Sequence, residues 1–314
     1  MATQNTNSRE IGVWSFISQL RTPNSKLNKS MFRKFSPFNF SAFAGIISAA
    51  FLLSSCGGGD DENVIKDYEE TTDTISSQVR VNFDLLRVSI PPPGTLTKKL
   101  SVAKINYNKN VMLSSSKGGS FSSTYQKAIG MGAFGADLGF AASYNQSNDA
   151  LEYLTQIGKL AGDLGIGNAF DPEFSKQLLL NIEKPDTFNM MLDEAFDKAE
   201  KNLRSNQRVA ISVLMVTGGW VESIFTTVES LNSNPTDPNT KSIYYDISVH
   251  CNAFEYVFKL LEAYKSNADC AKLLQDMEPF KAQLIGVGKN PKIGPSDLPK
   301  IRETITALRN KITS

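Results

Sequence analysis

From about residue 91 onward, apolar residues recur at steps of three and four, the spacing that places them on one face of an α-helix. In the last stretch Leu298, Ile301, Ile305, Leu308 and Ile312 form such a stripe, and Ser296-Asp297 after Gly294-Pro295 supplies a start signal. Phe254, Val257, Phe258 and Leu261 repeat the pattern upstream, as do Leu151, Leu154, Ile157, Ala161 and Leu164 before Gly165 and Gly167. Asp171-Pro172-Glu173 reads as a helix entry: a capping carboxylate, a proline where no N–H is needed, and an acid in the first turn. Another helix is expected after Lys184-Pro185-Asp186.

Residues 209–221 break this amphipathic rule, being apolar on nearly every side with Gly218-Gly219 near the end. Thirteen residues are too few to cross a bilayer as a helix, so the segment is expected to be the central helix of a bundle. Residues 232–240 and 286–295 are loops by composition. Residues 75–90 satisfy two periods at once: Val79 to Leu85 alternates like a strand, while Ile75, Val79, Phe83, Leu86 and Ile90 fit a helix. No repeat of fixed period is found. The predicted fold is all-α, a multi-helix bundle of about seven to nine helices around a buried central helix, with residues 71–314 forming a single helical domain.

The region before it has a different logic. An uncharged apolar run of twelve, residues 42–53, follows Arg33 and Lys34 and precedes Ser54 and Ser55, which is the order of a secretory signal peptide. The tetrapeptide Leu53-Ser54-Ser55-Cys56 resembles the lipobox of bacterial lipoproteins, in which the cysteine thiol takes a diacylglyceryl group and becomes the first mature residue. Gly57-Gly58-Gly59-Asp60-Asp61-Glu62 then forms an acidic flexible tether. The expected division is a signal-peptide region at 1–55, a lipidated Cys56 and tether at 56–70, then the domain. A preamble of thirty residues is long for a signal peptide, and a start at Met31 would give a compact basic leader, Met31-Phe32-Arg33-Lys34-Phe35. Acyl chains such as palmitate contribute roughly 0.8 kcal/mol per buried methylene, and several together anchor durably. The expected address is the outer membrane, lipid-anchored; the acidic tether resembles an export signal of surface lipoproteins, and the leaflet stays open.

Charge narrows the partners. The formal net charge is +1, but residues 1–55 hold six of the 33 basic side chains and one of the 32 acids, so the rest carries 27 against 31, a net −4. A mildly acidic domain is a poor polyanion binder, and no nucleic-acid partner is expected.

The chemistry-bearing residues are few. Gly130-Met131-Gly132-Ala133-Phe134-Gly135 matches the GxGxxG string of dinucleotide sites, but no hydrophobic strand precedes it. With Gly139, Ala136, Ala141 and Ala142 it keeps one helix surface small, and close helix packing is the expectation. Asp137, Asp163 and Glu222 are acids in apolar helical surroundings, expected to be buried and partnered. His250 beside Cys251 falls short of a zinc site, and adjacent helical residues point about 100 degrees apart, against a Cys–His pair. Cys251 and Cys270 are expected to remain thiols: two antiparallel helices turning near Ser266-Asn267 would leave them offset by roughly 16 Å, beyond the ~7 Å limit for a disulfide. No catalytic residue, metal or cofactor is predicted.

Gly135-Ala136-Asp137-Leu138-Gly139-Phe140, Leu160-Ala161-Gly162-Asp163-Leu164-Gly165-Ile166 and Thr217-Gly218-Gly219-Trp220-Val221-Glu222-Ser223 together resemble a family of helical outer-membrane lipoproteins of Bacteroidota-type bacteria that carries no assigned activity. The resemblance runs from about Pro91 to the C-terminus, and implies the envelope address and helical fold. It directs attention to Asp137, Trp220 and Glu222 as a ligand or partner pocket. The GxHxxE motif of imelysin-like iron-associated lipoproteins is not met around His250. The leading expectation is a non-enzymatic, lipid-anchored domain binding an envelope protein or polymer partner. Its rivals are a small-molecule or metal-binding accessory to uptake, with those three residues lining a pocket, and a hydrolase using two buried acids in an open cleft.

Overall fold

The apolar segment that begins at Val209 does not stop at residue 221. In the computed structural model, which describes residues 86–314 other than 88, 92 and 93, it continues as one helix, Val209–Leu231. At 23 residues it is long and apolar enough to cross a membrane, yet 94% of its most apolar window is buried inside the protein. The helix runs ten residues past Val221, through Glu222 and the hydroxyl-bearing Ser223, Thr226, Thr227 and Ser230, all of them buried. The hydroxyls of Ser223, Thr227 and Ser230 donate to helix carbonyls three or four residues back, Ser223 to Trp220 and Thr227 to Ser223, which lets polar side chains lie buried.

The α-helices are α1 (Gly94–Val102), α2 (Thr124–Ser143), α3 (Ser147–Asp163), α4 (Pro172–Leu180), α5 (Pro185–Ser205), α6 (Val209–Leu231), α7 (Lys241–Asn252), α8 (Phe254–Ala263), α9 (Ala268–Met277), α10 (Lys281–Gly288) and α11 (Leu298–Ile312). No strand occurs among the described residues. Helices α1, α2, α5, α7, α8, α9 and α11 all touch α6, which makes the protein all-α around a buried central helix. There are more helices than seven to nine because residues 241–288 are cut into four short ones. The signal-peptide region, Cys56, the tether and residues 75–85 of the ambiguous segment lie outside the described residues.

Local signals account for several boundaries. The Asp171 carboxylate accepts the Phe174 amide at 2.8 Å with Pro172 in the first turn, so α4 begins as its sequence dictates. Ser123 and Gln126 close a capping box at the start of α2. The stripe of α11 is buried at all five expected positions. Asp297 departs from its expected role: its carboxylate accepts the Gly294 amide at 2.8 Å and ties the preceding turn, not the first turn of α11. Residues 286–288 end α10 instead of opening a loop, and Leu151, expected on the buried stripe, is half-exposed on α3.

The GxGxxG string lies inside α2, six residues past its start, where no free amides exist to hold a phosphate. Its glycines serve packing. A Cβ on Gly132 would sit 1.9 Å from the Met215 carbonyl oxygen, and one on Gly218 would sit 2.2 Å from that of Ile129. Helices α2 and α6 thus meet backbone to backbone, as the run of small residues predicts.

Gly132→Ala and Gly218→Ala are each expected to destabilise the protein by about 3 kcal/mol or more, since backbone and not a flexible side chain must yield. Gly158→Ala, on an open face of α3 with nothing within 4 Å, is expected to stabilise it by about 0.5–1 kcal/mol. Urea denaturation of the three variants checks both signs.

Candidate functional site

On α6, Gly218, Glu222 and Thr226 recur every four residues and so share a face. The glycine admits α2 at that face, and the next two positions on it carry polar side chains buried with Asp137 of α2. The Glu222 carboxylate accepts two hydrogen bonds from Arg309 of α11, Nε at 2.9 Å and Nη2 at 2.7 Å, with side-chain exposures of 1% and 12%. The guanidinium lies 4.1 Å from the centre of the Phe225 ring. Asp137 accepts the Leu113 amide at 2.9 Å and faces the Thr226 hydroxyl at 3.5 Å. Leu113 is fixed on its other side by the Tyr153 hydroxyl, which donates to its carbonyl at 2.7 Å.

Two fully buried carboxylates thus lie within electrostatic reach of one guanidinium, and a proton settles the difference. Burial, then the neighbouring Glu222 charge, pushes the Asp137 carboxyl well above its usual range, outweighing the Leu113 amide, Arg309 and Thr226. With Asp137 neutral, Glu222 and Arg309 cancel and no net charge is buried. The folded state prefers the protonated acid. The stability Asp137 contributes is therefore present in acid and declines as pH rises from the ordinary carboxylate range towards its raised value.

Asp137 and Glu222 are brought together as a pair, which the sequence did not place. Trp220 is not part of it: its indole N–H donates to the His250 carbonyl at 3.0 Å and its ring packs 5.8 Å from Phe254. All three residues are fully buried and none lines the surface groove described below. Asp163 departs from the expected buried acid, lying half-exposed at the end of α3 and pairing with Lys127 at 2.8 Å. His250 is buried with Nδ1 against the Asp246 carbonyl at 3.0 Å. Cys251 and Cys270 are buried thiols not joined to each other, and the single hairpin assumed for their offset is not present: a helix break at Ala253 puts Cys251 on α7 and not on the helix that precedes α9. Burial pushes the Cys251 thiol up to about 12.

Arg309, Leu113 and Tyr153 were missed. Arg309 had a legible signal, since it stands four residues after Ile305 and three before Ile312, a cation on the flank of a buried stripe. Leu113 and Tyr153 had none, because their roles depend on contacts 24 and 40 residues away in sequence. Elsewhere an open groove of about 550 Å³ runs between α3 and the start of α4, lined by residues including Leu154, Gly158, Asn168, Pro172 and Ser175. Among the described residues no group of three His, Cys, Asp or Glu could hold a metal ion. No protein-family model, curated protein or solved structure matches the chain.

Glu222→Met leaves the part-buried Arg309 without its paired carboxylate and is expected to cost about 3–5 kcal/mol, whereas Glu222→Met with Arg309→Met should cost far less than the two single changes summed. A double-mutant cycle by urea denaturation tests this, and additive losses would contradict it. Cys251 is expected to resist thiol reagents until the protein unfolds, which mass spectrometry of labelled native and denatured protein reads directly.

Proposed function

We propose that the chain is a lipid-anchored cell-envelope protein of the outer membrane, related to the Bacteroidota-type helical lipoproteins it resembles, whose helical domain has a non-enzymatic binding or structural role. The observation that carries this reading is the order of residues before the domain: Arg33-Lys34, the apolar run 42–53, then Leu53-Ser54-Ser55-Cys56 and the glycine-acid tether. In this reading Cys56 is acylated, the tether holds the domain off the lipid, and the partner is an envelope protein or polymer. Asp137 and Glu222 are fully buried and Glu222 is held by Arg309, packing that supports a structural reading of this pair over a hydrolytic one, because two working carboxylates need room for substrate and water. The alternative of a small-molecule or metal accessory to uptake required Asp137, Trp220 and Glu222 to line a pocket; they are packed as core, which favours the first reading.

Expressed in a bacterium that processes lipoproteins and fed an alkyne-bearing palmitate analogue, the full chain is expected to take up label and to fractionate with the outer membrane. Cys56→Ala should do neither. An unlabelled wild-type chain recovered in the soluble fraction would overturn the reading.

A further inference from the structure

Asp137, the α2 member of the cluster with Glu222 and Arg309, is bonded by chain that is barely helical. Between the end of α1 and the capping box of α2, residues 104–123 contain only two 3₁₀ turns, Lys109–Val111 and Ser115–Gly119, and Lys104 takes a positive φ of 60° at the segment's start. The segment packs on α2, α3 and α6. Its centre buries Val111, Met112 and Leu113. Its attachment is through side chains. The Tyr107 hydroxyl donates to Asp149 at 2.6 Å, Lys109 pairs with Asp149 and Glu152 at 2.6 and 2.7 Å, and Ser115 donates to Glu152. Lys117 donates to the Thr313 carbonyl at 3.2 Å. The two deepest bonds are those of Leu113, whose amide is held by Asp137 and whose carbonyl is held by Tyr153.

Releasing such a segment breaks no helical ladder. It separates a few surface pairs, frees Leu113 from two side chains, returns five buried apolar residues (Ile105, Val111, Met112, Leu113 and Phe121) to water and parts the Tyr107 and Phe121 rings from α2, which is a local event and not global unfolding. We propose that residues 104–123 form a lid over the Asp137–Glu222–Arg309 cluster, and that each opening delivers one proton from Asp137 to solvent. In the closed form water is excluded and the acid keeps its proton; in the open form the carboxylate is hydrated and the proton leaves.

The other charged groups around the lid hold their state while this happens. Arg309 stays cationic beside Glu222. Burial raises Tyr153, and burial with the Asp149 bond raises Tyr107, so both phenols stay neutral. The Lys109 amine and Ser115 hydroxyl hold the Glu152 carboxyl below its usual range. Burial raises Asp149, but Lys109 and Tyr107 outweigh it and leave that carboxyl low as well. Unlike Asp149 and Glu152, Asp137 is held above the ordinary carboxylate range, and opening becomes easier as pH rises.

The test is amide hydrogen exchange of the full chain, followed at Leu113 and at core amides of α6 such as Ile224, from about pH 5 to about pH 7. After correction for intrinsic base catalysis, Leu113 protection is expected to lie below that of Ile224 and to fall by about tenfold per pH unit from pH 5 until closed-form Asp137 itself ionises. Asp137→Asn keeps an acceptor oxygen for the Leu113 amide but holds no titrating proton, and its Leu113 protection should be flat with pH. Tyr153→Phe removes the other anchor and should lower protection while keeping the wild-type slope. Equal protection at Leu113 and Ile224, a wild-type slope of zero at the acid end, or an undiminished slope in Asp137→Asn would each overturn the proposal.

Discussion

The contact on which the rest of the structure depends is the backbone-to-backbone approach of α2 and α6. Gly132 lies against the Met215 carbonyl and Gly218 against that of Ile129, with no room for even a methyl group. That closeness fixes the height of everything around it. It sets Asp137 against Thr226 and near Glu222, and α11 supplies Arg309 to Glu222. A bulkier helix surface would hold the two backbones apart, and the acids would then reach water or remain unpartnered.

Burying ionisable groups at such a junction is costly unless their charges close on themselves. Here one acid is balanced by a bidentate arginine and the other by a proton. The arrangement gives α6 a reason to be apolar almost everywhere and yet to carry Glu222 at full burial. A helix of this length and composition also meets the simplest criterion for crossing a membrane. Its neighbours on every side, and the arginine paired with its glutamate, mark it as the core of a packed bundle.

Much of the helical fold could be read from spacing because helices are local objects. Asp171-Pro172, the stripe of α11 and the uninterrupted apolarity after Val209 each encode their element within a few residues. The small-residue run of α2 likewise announces close packing. What resisted reading depends on distance along the chain. The break at Ala253 leaves apolar periodicity intact on both sides, so α7 and α8 read as one. Asp163 and Asp137 have similar neighbours in sequence, yet one ends a helix at the surface and the other points into the bundle. Glu222 and Arg309 are 87 residues apart, and nothing local in either says that they meet.

The central claim is that a proton on Asp137 neutralises the buried cluster. A pH titration of the Asp137 side-chain carboxyl by carbon-13 NMR in the folded protein tests it most directly. The account predicts that this carbon keeps the chemical shift of a neutral carboxylic acid through the range where ordinary aspartates ionise, about pH 3 to 5. A carboxylate shift at pH 5 in the folded protein would contradict it.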